Sequence, residues 1–397
     1  MWMILFLMLP IAGIVYTSWH LWTLLPLANV WKWTVIGVGV ACFLLLFLDL
    51  RGQLDKMPLT LARVCYQVGT SSIFVLLYLV MIFLLLDLGR LVHLVPKAWL
   101  HHNWVTTAAV AGMMLTIFVC GAIHYYNKVR VEVALTTSKP LPHPYRIVMM
   151  SDLHLGYHNT REDLARWVDM VNAEKPDLVL IAGDIIDISV HPLIEEDMAQ
   201  ELRRLQAPVY ACLGNHEYYS GEPRAEQFYR DANIHLLIDS AAVVDSALVI
   251  IGRDDRTNRR RKSLAQLTSN LNSPLGSAAS LVEETSNLKS QTSNLKSLYT
   301  IVLDHQPYHL EEAEAAGIDF QLSGHTHRGQ VWPISWITDA LYECSWGSHQ
   351  RGNTHYYVSS GIGIWGGKFR IGTQSEYVVA TLTGEAAPGV PSMSQTR

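Results

Sequence analysis

The sequence is poor in the features that mark several common classes of protein. Its five cysteines, Cys42, Cys65, Cys120, Cys212 and Cys344, form no CxxC pair, so neither a disulfide framework nor a thiolate zinc site is indicated. Positive charge is also scarce: 30 Lys and Arg stand against 35 Asp and Glu, giving a net charge of -5 and a pI near 6.4. That balance offers no basic footprint for nucleic acid, and none is expected as a partner. The first apolar run lacks a basic leader and a small-residue cleavage site, and further apolar runs follow it. A retained anchor is expected, not a removed signal peptide.

What the sequence does have is a long apolar beginning. Mean hydropathy is +0.16 with 50% hydrophobic residues, and the excess lies almost wholly before Tyr126. Apolar runs over about 1–27, 33–48, 68–86 and 104–126 each approach the ~20 residues that cross a bilayer. Trp31, Trp33, Trp99, Trp104, Tyr125 and Tyr126 stand at their edges, where amphipathic rings favour the headgroup level. Residues 1–127 are therefore expected to form an all-α, multi-pass, integral membrane region of about four helices, with 128–144 as a linker. Arg51, Lys56 and Arg63 share a side with Lys128 and Arg130, against Lys32, Arg90 and Lys97 opposite. The positive-inside rule then places both termini, and the rest of the chain, in the cytoplasm. His20, Asp49, Asp87, His93, His101 and His102 fall at or near span ends and are read as lying in water or headgroups. The spans lack a central charged pair and an obvious repeat, which argues against a transport path.

From Tyr145 onward, short apolar runs alternate with amphipathic stretches. RIVMMSD, DLVLIAGD, VYACLGNH, YTIVLDH and DFQLSGH each read as a buried strand ending in a polar residue. Leu164, Trp167, Val168 and Val171 have helical spacing, and further helices are expected over about 192–205 and 224–232. This alternation predicts an α/β core with helices covering sheet faces, in which ligands bind outside the carboxyl ends of the strands. The stretch of about 258–298 breaks the pattern with TSNLNS and two copies of TSNLKS, and is read as a low-complexity, disordered or loosely helical insertion. Its basic run, Arg259 to Lys262, reads as a solvated loop, with anionic headgroups as the other reading. Residues 385–397 are read as a disordered tail.

The five strand ends carry Asp152 and His154, Asp184 and Asp187, Asn215 and His216, His305, and His325 and His327. Carboxylates, imidazoles and one amide suit manganese, iron or zinc, with magnesium as a further option. The set exceeds what one ion usually takes, so two divalent ions are expected, with a carboxylate such as Asp184 able to bridge them. Two such ions can depress the pKa of a shared water and clamp the oxygens of an in-line phosphoryl displacement.

These residues resemble the calcineurin-like metallophosphoesterase family. They stand as Asp152-Leu153-His154, Gly183-Asp184-Ile185-Ile186-Asp187, Gly214-Asn215-His216-Glu217, His305 and Gly324-His325-Thr326-His327, in the family's order. The motifs SDLHLG, GNHEYYSG, LDHQP, SGHTHRGQ and SSGIGIW look like its bacterial, membrane-associated branch. The resemblance implies a layered α/β/β/α sandwich, two mixed sheets flanked by helices, over 145–384. It also implies one metal held by Asp152, His154, Asp184 and His327, and a second by Asp184, Asn215, His305 and His325. His216 would serve the leaving oxygen as proton donor or electrostatic stabiliser, with Asp187 fixing its tautomer. The family's protein phosphatases place Arg directly after the second Asp of GDxxD; here Ile188 stands there, against a phosphoprotein substrate. Arg328 is the best placed phosphate grip, with Arg253 and Arg256 as weaker candidates and otherwise surface cations. Glu217 receives no catalytic role, and His158 is read as solvent-exposed.

The expected function is metal-dependent hydrolysis of a phosphomonoester or phosphodiester by a hydroxide bridging the two ions. The anchor brings a lipid or lipid-linked substrate within reach. The competing reading is a membrane sensor or scaffold that binds a phosphorylated ligand without turnover.

Overall fold

The computed structural model describes residues 2–49, 52–271 and 297–385. The chain divides into two units, Met1–Tyr126 with Trp365–Ile371, and Asn127–Ile364 with Gly372–Arg397.

The first unit is helical: α1 (Trp2–Leu24), α2 (Asn29–Leu44), α3 (Leu59–Leu91) and α4 (Trp104–Tyr126). Among the described residues, three helices, Asn29–Leu48, Leu59–Leu91 and Trp104–Tyr126, are long and apolar enough to cross a membrane. The apolar run of 68–86 lies inside α3, which is longer than expected at 33 residues, about 50 Å at ~1.5 Å per residue. Pro58 stands at its cap position, and the Leu, Ala, Arg and Gln that follow are good helix formers. Lys32 is buried, and its Nζ donates to the Trp22 carbonyl at 2.7 Å, placing a cation on the open carbonyl end of α1.

His20 departs from the expectation of a wet span end. It is 2% exposed, its Nε2 stands 3.0 Å from Oδ2 of Asp87, and its ring stacks on Phe83 at 4.6 Å. The Tyr16 hydroxyl donates to the same carboxylate at 2.8 Å. Polar groups that satisfy one another can be buried between helices, and the pairing was hidden because His20 and Asp87 are 67 residues apart.

Among the described residues, the second unit has twelve strands: β1 (Lys128–Thr137), β2 (Tyr145–Met150), β3 (Leu178–Ala182), β4 (Val209–Cys212), β5 (His235–Leu236), β6 (Ser240–Val244), β7 (Leu248–Gly252), β8 (Tyr299–Leu303), β9 (Phe320–Ser323), β10 (Gly347–Arg351), β11 (Thr354–Val358) and β12 (Ser375–Gly384). They form two mixed six-stranded sheets, ordered β1-β12-β2-β3-β4-β5 and β10-β11-β9-β8-β7-β6. All five expected strands are present as β2, β3, β4, β8 and β9.

The helices of this unit are α5 (Arg161–Ala173), α6 (His191–Glu195), α7 (Met198–Leu202), α8 (Asn215–Ser220), α9 (Glu222–Asp231), α10 (Leu264–Leu271), α11 (Glu311–Ala315) and α12 (Ile334–Leu341). The helix expected over 192–205 is therefore two short ones, α6 and α7. Ile147, Met149 and Leu180 of one sheet meet Ile250, Ile301 and Leu303 of the other in a shared core. The outer face of the first sheet packs on α5, α7 and α9, and that of the second on α10 and α11. The result is the expected α/β/β/α sandwich, with apolar side chains on both faces of its central strands.

Two boundaries differ from the sequence reading. The stretch read as a linker, 128–144, opens with the ten-residue strand β1, which pairs in parallel with β12. Its alternating exposure belongs to an edge strand with one wet face, and the charged outward residues masked the period of two. The stretch read as an insertion, 258–298, opens with ordered structure. Leu264 and Leu267 of α10 are buried against Val243 and Ile251. Arg261 bonds Asp304 at 2.9 Å, so this member of the basic run is committed to the domain. The two TSNLKS copies, apart from Ser297, and the residues after 385 lie outside the described residues.

Candidate metal centre

Each candidate site residue stands just beyond the carboxyl end of a strand: Asp152 and His154 after β2, Asp184 and Asp187 after β3, Asn215 and His216 after β4, His305 after β8, and His325 and His327 after β9. Because both sheets contribute, the site sits where their strand ends meet. The loops after β2 and β3 are stitched together by the backbone bonds Asp152 N to Gly183 O at 3.1 Å and His154 N to Asp184 O at 2.9 Å.

The side chains converge in three overlapping groups whose ligand atoms lie within 4.8 Å of one another: Asp152, His154 and His327; His154, Asp184 and His216; and Asp184, His305 and His325. Metal bonds of ~2.0–2.2 Å to nitrogen and oxygen require ligand atoms at such separations. His154 Nε2 stands 3.1 Å from His327 Nε2 and 3.7 Å from Asp184 Oδ2. His327 Nε2 stands 3.5 Å from Asp152 Oδ1. On the other side, His305 Nε2 is 3.0 Å from Asp184 Oδ2.

The hydrogen bonds fit this set to divalent cations. Nδ1 of His305 donates to the Ala182 carbonyl at 2.7 Å, which turns the lone pair of Nε2 toward the Asp184 carboxylate. Two electron-rich atoms at that distance are held together by a proton or a metal ion. The Asn215 Oδ1 is buried with no hydrogen-bond partner among the described residues, as a ligand oxygen would be. Burial, then the neighbouring His305, pushes His325 down to about 4, so its ring is neutral, the state a metal requires.

Asp187 receives two imidazoles. Its Oδ1 lies 3.2 Å from Nδ1 of His154 and 3.2 Å from Nδ1 of His216. Burial opposes its charge, but the hydrogen bonds from His154 and His216 outweigh burial and hold the carboxyl far below its usual range. Burial alone would lower His216, yet Asp184 and then Asp187 push it up to about 9.

The backbone of the site is unusual. Asp152, His154, Asp184, His325 and His327 all have positive φ, between 44° and 71°, a region in which such residues are uncommon. Gly214 shows how tightly the loops approach, since a Cβ there would fall 2.1 Å from Oδ1 of Asp184.

Three residues are more important than the sequence suggested. Glu217 is fully buried and accepts the backbone N–H groups of Asp184 at 3.1 Å, Ile186 at 3.0 Å and Gly214 at 2.7 Å. It holds the loops after β3 and β4 in one frame. His158 is wholly buried, not solvent-exposed: its Nε2 meets the Ile364 carbonyl and its Nδ1 lies 3.6 Å from Asp187 Oδ2. The amide of Asn159 donates to the carbonyls of Leu153, His154 and Ile364. The cue for Glu217 was its place directly after the GNH motif; nothing in sequence marked the partners of His158 and Asn159.

The three arginines separate. Arg253 is 4% exposed and paired with Asp304 at 2.9 Å and Glu312 at 2.6 Å, so it is neither a phosphate grip nor a surface cation. Arg256 lies over the Tyr308 ring at 4.4 Å. Arg328, next to His327, lies over the Trp346 ring at 4.0 Å. The Trp346 indole is fixed by Glu376 at 3.0 Å, and no carboxylate within the described residues pairs with the Arg328 guanidinium.

A two-sheet α/β sandwich with Asp, His and Asn converging at its strand ends defines a domain with a candidate divalent-metal centre. The sequence profile of the calcineurin-like phosphoesterase family matches residues 145–329. An uncharacterized metallophosphoesterase of Aquifex aeolicus is 32% identical over 266 residues, 66% of this chain and 94% of that protein. The chain belongs to this metallophosphoesterase family. A second uncharacterized relative, from Campylobacter jejuni, is 30% identical over 60% of this chain, which spans 59% of that protein's length. A transmembrane protein with metallophosphoesterase domain, from Danio rerio, is 27% identical over 75% of this chain and 70% of that protein.

Proposed function

We propose that the chain is a membrane-anchored hydrolase of phosphoester bonds that works with two divalent ions. The observation that carries this reading is the overlap of the ligand groups at Asp184, which stands between the His154 and His327 side and the His305 and His325 side. Asp152, His154, Asp184 and His327 would hold one ion, and Asp184, Asn215, His305 and His325 the other. Bound divalent ions supply Lewis acidity that activates water and offsets phosphate charge.

The chain's own residues do the rest. His216, held protonated by Asp184 and Asp187, donates a proton to the departing oxygen. Asp187 keeps its Nδ1 engaged so that the other ring nitrogen faces the substrate. Arg328, over the Trp346 ring and with no carboxylate partner among the described residues, grips a phosphate oxygen through its planar fork.

Anchoring rests on the three long apolar helices and on the excess of basic residues on the proposed cytoplasmic side. A lipid or lipid-linked substrate is favoured by exposed Trp332, Trp336, Ile337 and Leu341, which begin five residues after His327 and would present an apolar surface near the site.

Purified full-length protein loaded with manganese is expected to hydrolyse bis-p-nitrophenyl phosphate, and Asp184→Ala to abolish turnover. Bound metal with no hydrolysis across nucleotide and lipid phosphoesters would instead favour the sensor or scaffold reading. A reporter fused after Arg397 tests the cytoplasmic placement.

A further inference from the structure

The helical unit contains a cavity of about 450 Å3 lined by α1, α2 and α3, within the ~300–1,000 Å3 range of ligand sites. Its α3 wall is graded in polarity. Gln67, Ser71, Val75 and Leu79 line it at successive steps of four residues, so an amide, a hydroxyl and two aliphatic side chains follow one another along one face. Arg63 stands one further step before Gln67, beyond the polar end of this row. From Gln67 to Leu79 the row covers about 18 Å at ~1.5 Å per residue, more than half of a ~30 Å hydrocarbon core.

Among the described residues, neither the Gln67 amide nor the Ser71 hydroxyl has a hydrogen-bond partner. In a bilayer such groups seek acceptors, because hydrocarbon provides none. On the opposite wall Gly39 of α2 borders the cavity, and a Cβ added there would meet nothing within 4 Å.

We propose that this cavity holds one acyl chain of a bilayer phospholipid. The ester carbonyls accept from Gln67 and Ser71, the hydrocarbon lies along Val75 and Leu79, and the phosphate lies toward Arg63. A phospholipid supplies acceptor, tail and anionic head in the order the row presents them. A purely apolar ligand would leave the amide and hydroxyl unmatched, and a purely polar one would leave the aliphatic half unfilled. The proposal rests on the reading that these helices lie in a bilayer and is independent of the phosphoester chemistry.

The test uses the full-length protein in nanodiscs of phosphatidylglycerol and phosphatidylcholine that include a phospholipid with a photoactivatable diazirine in its acyl chain. After irradiation, mass spectrometry is expected to find label concentrated on residues 67–79 and depleted on the outward face of α4. Gly39→Trp fills the cavity and is expected to lose that concentrated label, as is the smaller filler Gly39→Leu. Gly37→Trp is the folding control, since a Cβ there also meets nothing within 4 Å and Gly37 does not line the cavity; it is expected to retain the label. Equal labelling of Gly39→Trp and the unaltered protein, or label spread evenly over lipid-facing residues, overturns the proposal. Release of the protein from native membranes by alkaline carbonate overturns the bilayer reading and the proposal with it, while leaving the phosphoesterase reading to its own assay.

Discussion

His216 turns Nδ1 toward Asp187, 3.2 Å from its Oδ1 and 3.1 Å from its main-chain carbonyl oxygen. The same carboxylate oxygen serves Nδ1 of His154, so one carboxylate supports both a proposed metal ligand and the proposed proton donor. In Asp187→Asn, the oxygen that both rings share can still accept, but the negative charge that holds them is lost. Metal affinity is expected to weaken by roughly 10–100-fold, the usual effect of losing an outer carboxylate, together with a fall in kcat. Titration of the stripped protein with manganese and steady-state kinetics on the reloaded protein check the two effects separately. A loss of kcat at unchanged metal affinity would mean that Asp187 serves His216 alone.

His216→Asn tests the proton donor. Turnover of an alkyl phosphodiester is expected to fall by roughly 10²–10⁴-fold, with metal content unchanged. The fall should be smaller for a p-nitrophenyl ester, whose leaving group departs without protonation. An equal loss with both substrates would argue for a charge-stabilising role and against proton transfer.

Glu217→Ala removes the acceptor of three buried N–H groups. Leaving such donors unmatched costs about 1–3 kcal/mol each, so the melting temperature of the metal-loaded protein should drop well below that of Glu217→Gln, which keeps a side-chain acceptor. Identical melting of the two variants would show that the carboxylate does not brace these loops.

Glu174 follows α5 and ties three strands. It accepts from Arg130 at 2.6 Å, from Arg146, and from the Tyr377 hydroxyl at 3.2 Å. The Arg130 hydrogen bond, outweighing burial and joined by Arg146, pulls it down from 4.5 to about 2. A carboxyl lowered in the folded state stabilises above its unfolded pKa and loses that contribution as pH falls. Glu174→Gln should therefore melt lower than the unaltered protein at neutral pH, by on the order of 1 kcal/mol for a partly exposed network. The gap should narrow between pH 4.5 and about 2; a gap independent of pH would contradict this assignment.

The strand-end site residues were legible because each sits where an apolar run stops, and the residue types at those stops are chemically informative. Asp184 and His305, far apart in sequence, were joined only through the family resemblance. Other contacts had no local signature. Glu217 acts through backbone donors that any sequence possesses, His158 is buried by a carbonyl from Ile364, and Asp187 could be assigned one histidine but not two. The left-handed backbone at Asp152, His154, Asp184, His325 and His327 was equally hidden, since these residue types also occur with ordinary φ. β1 escaped notice because an edge strand needs only one apolar face, and Lys128, Arg130 and Glu132 make the other face read as a linker.

The pairing of Lys128 with Ser375 and of Thr137 with Gly384 has a consequence for biosynthesis. β12 fills the place between β1 and β2, so the strand that leaves the ribosome first in this domain lacks its ladder neighbour until the strand that leaves last arrives. The nascent domain therefore carries an unfilled slot through almost the whole of its translation. A chain truncated before Ser375 would expose two unsatisfied strand edges, an open invitation to aggregation or degradation.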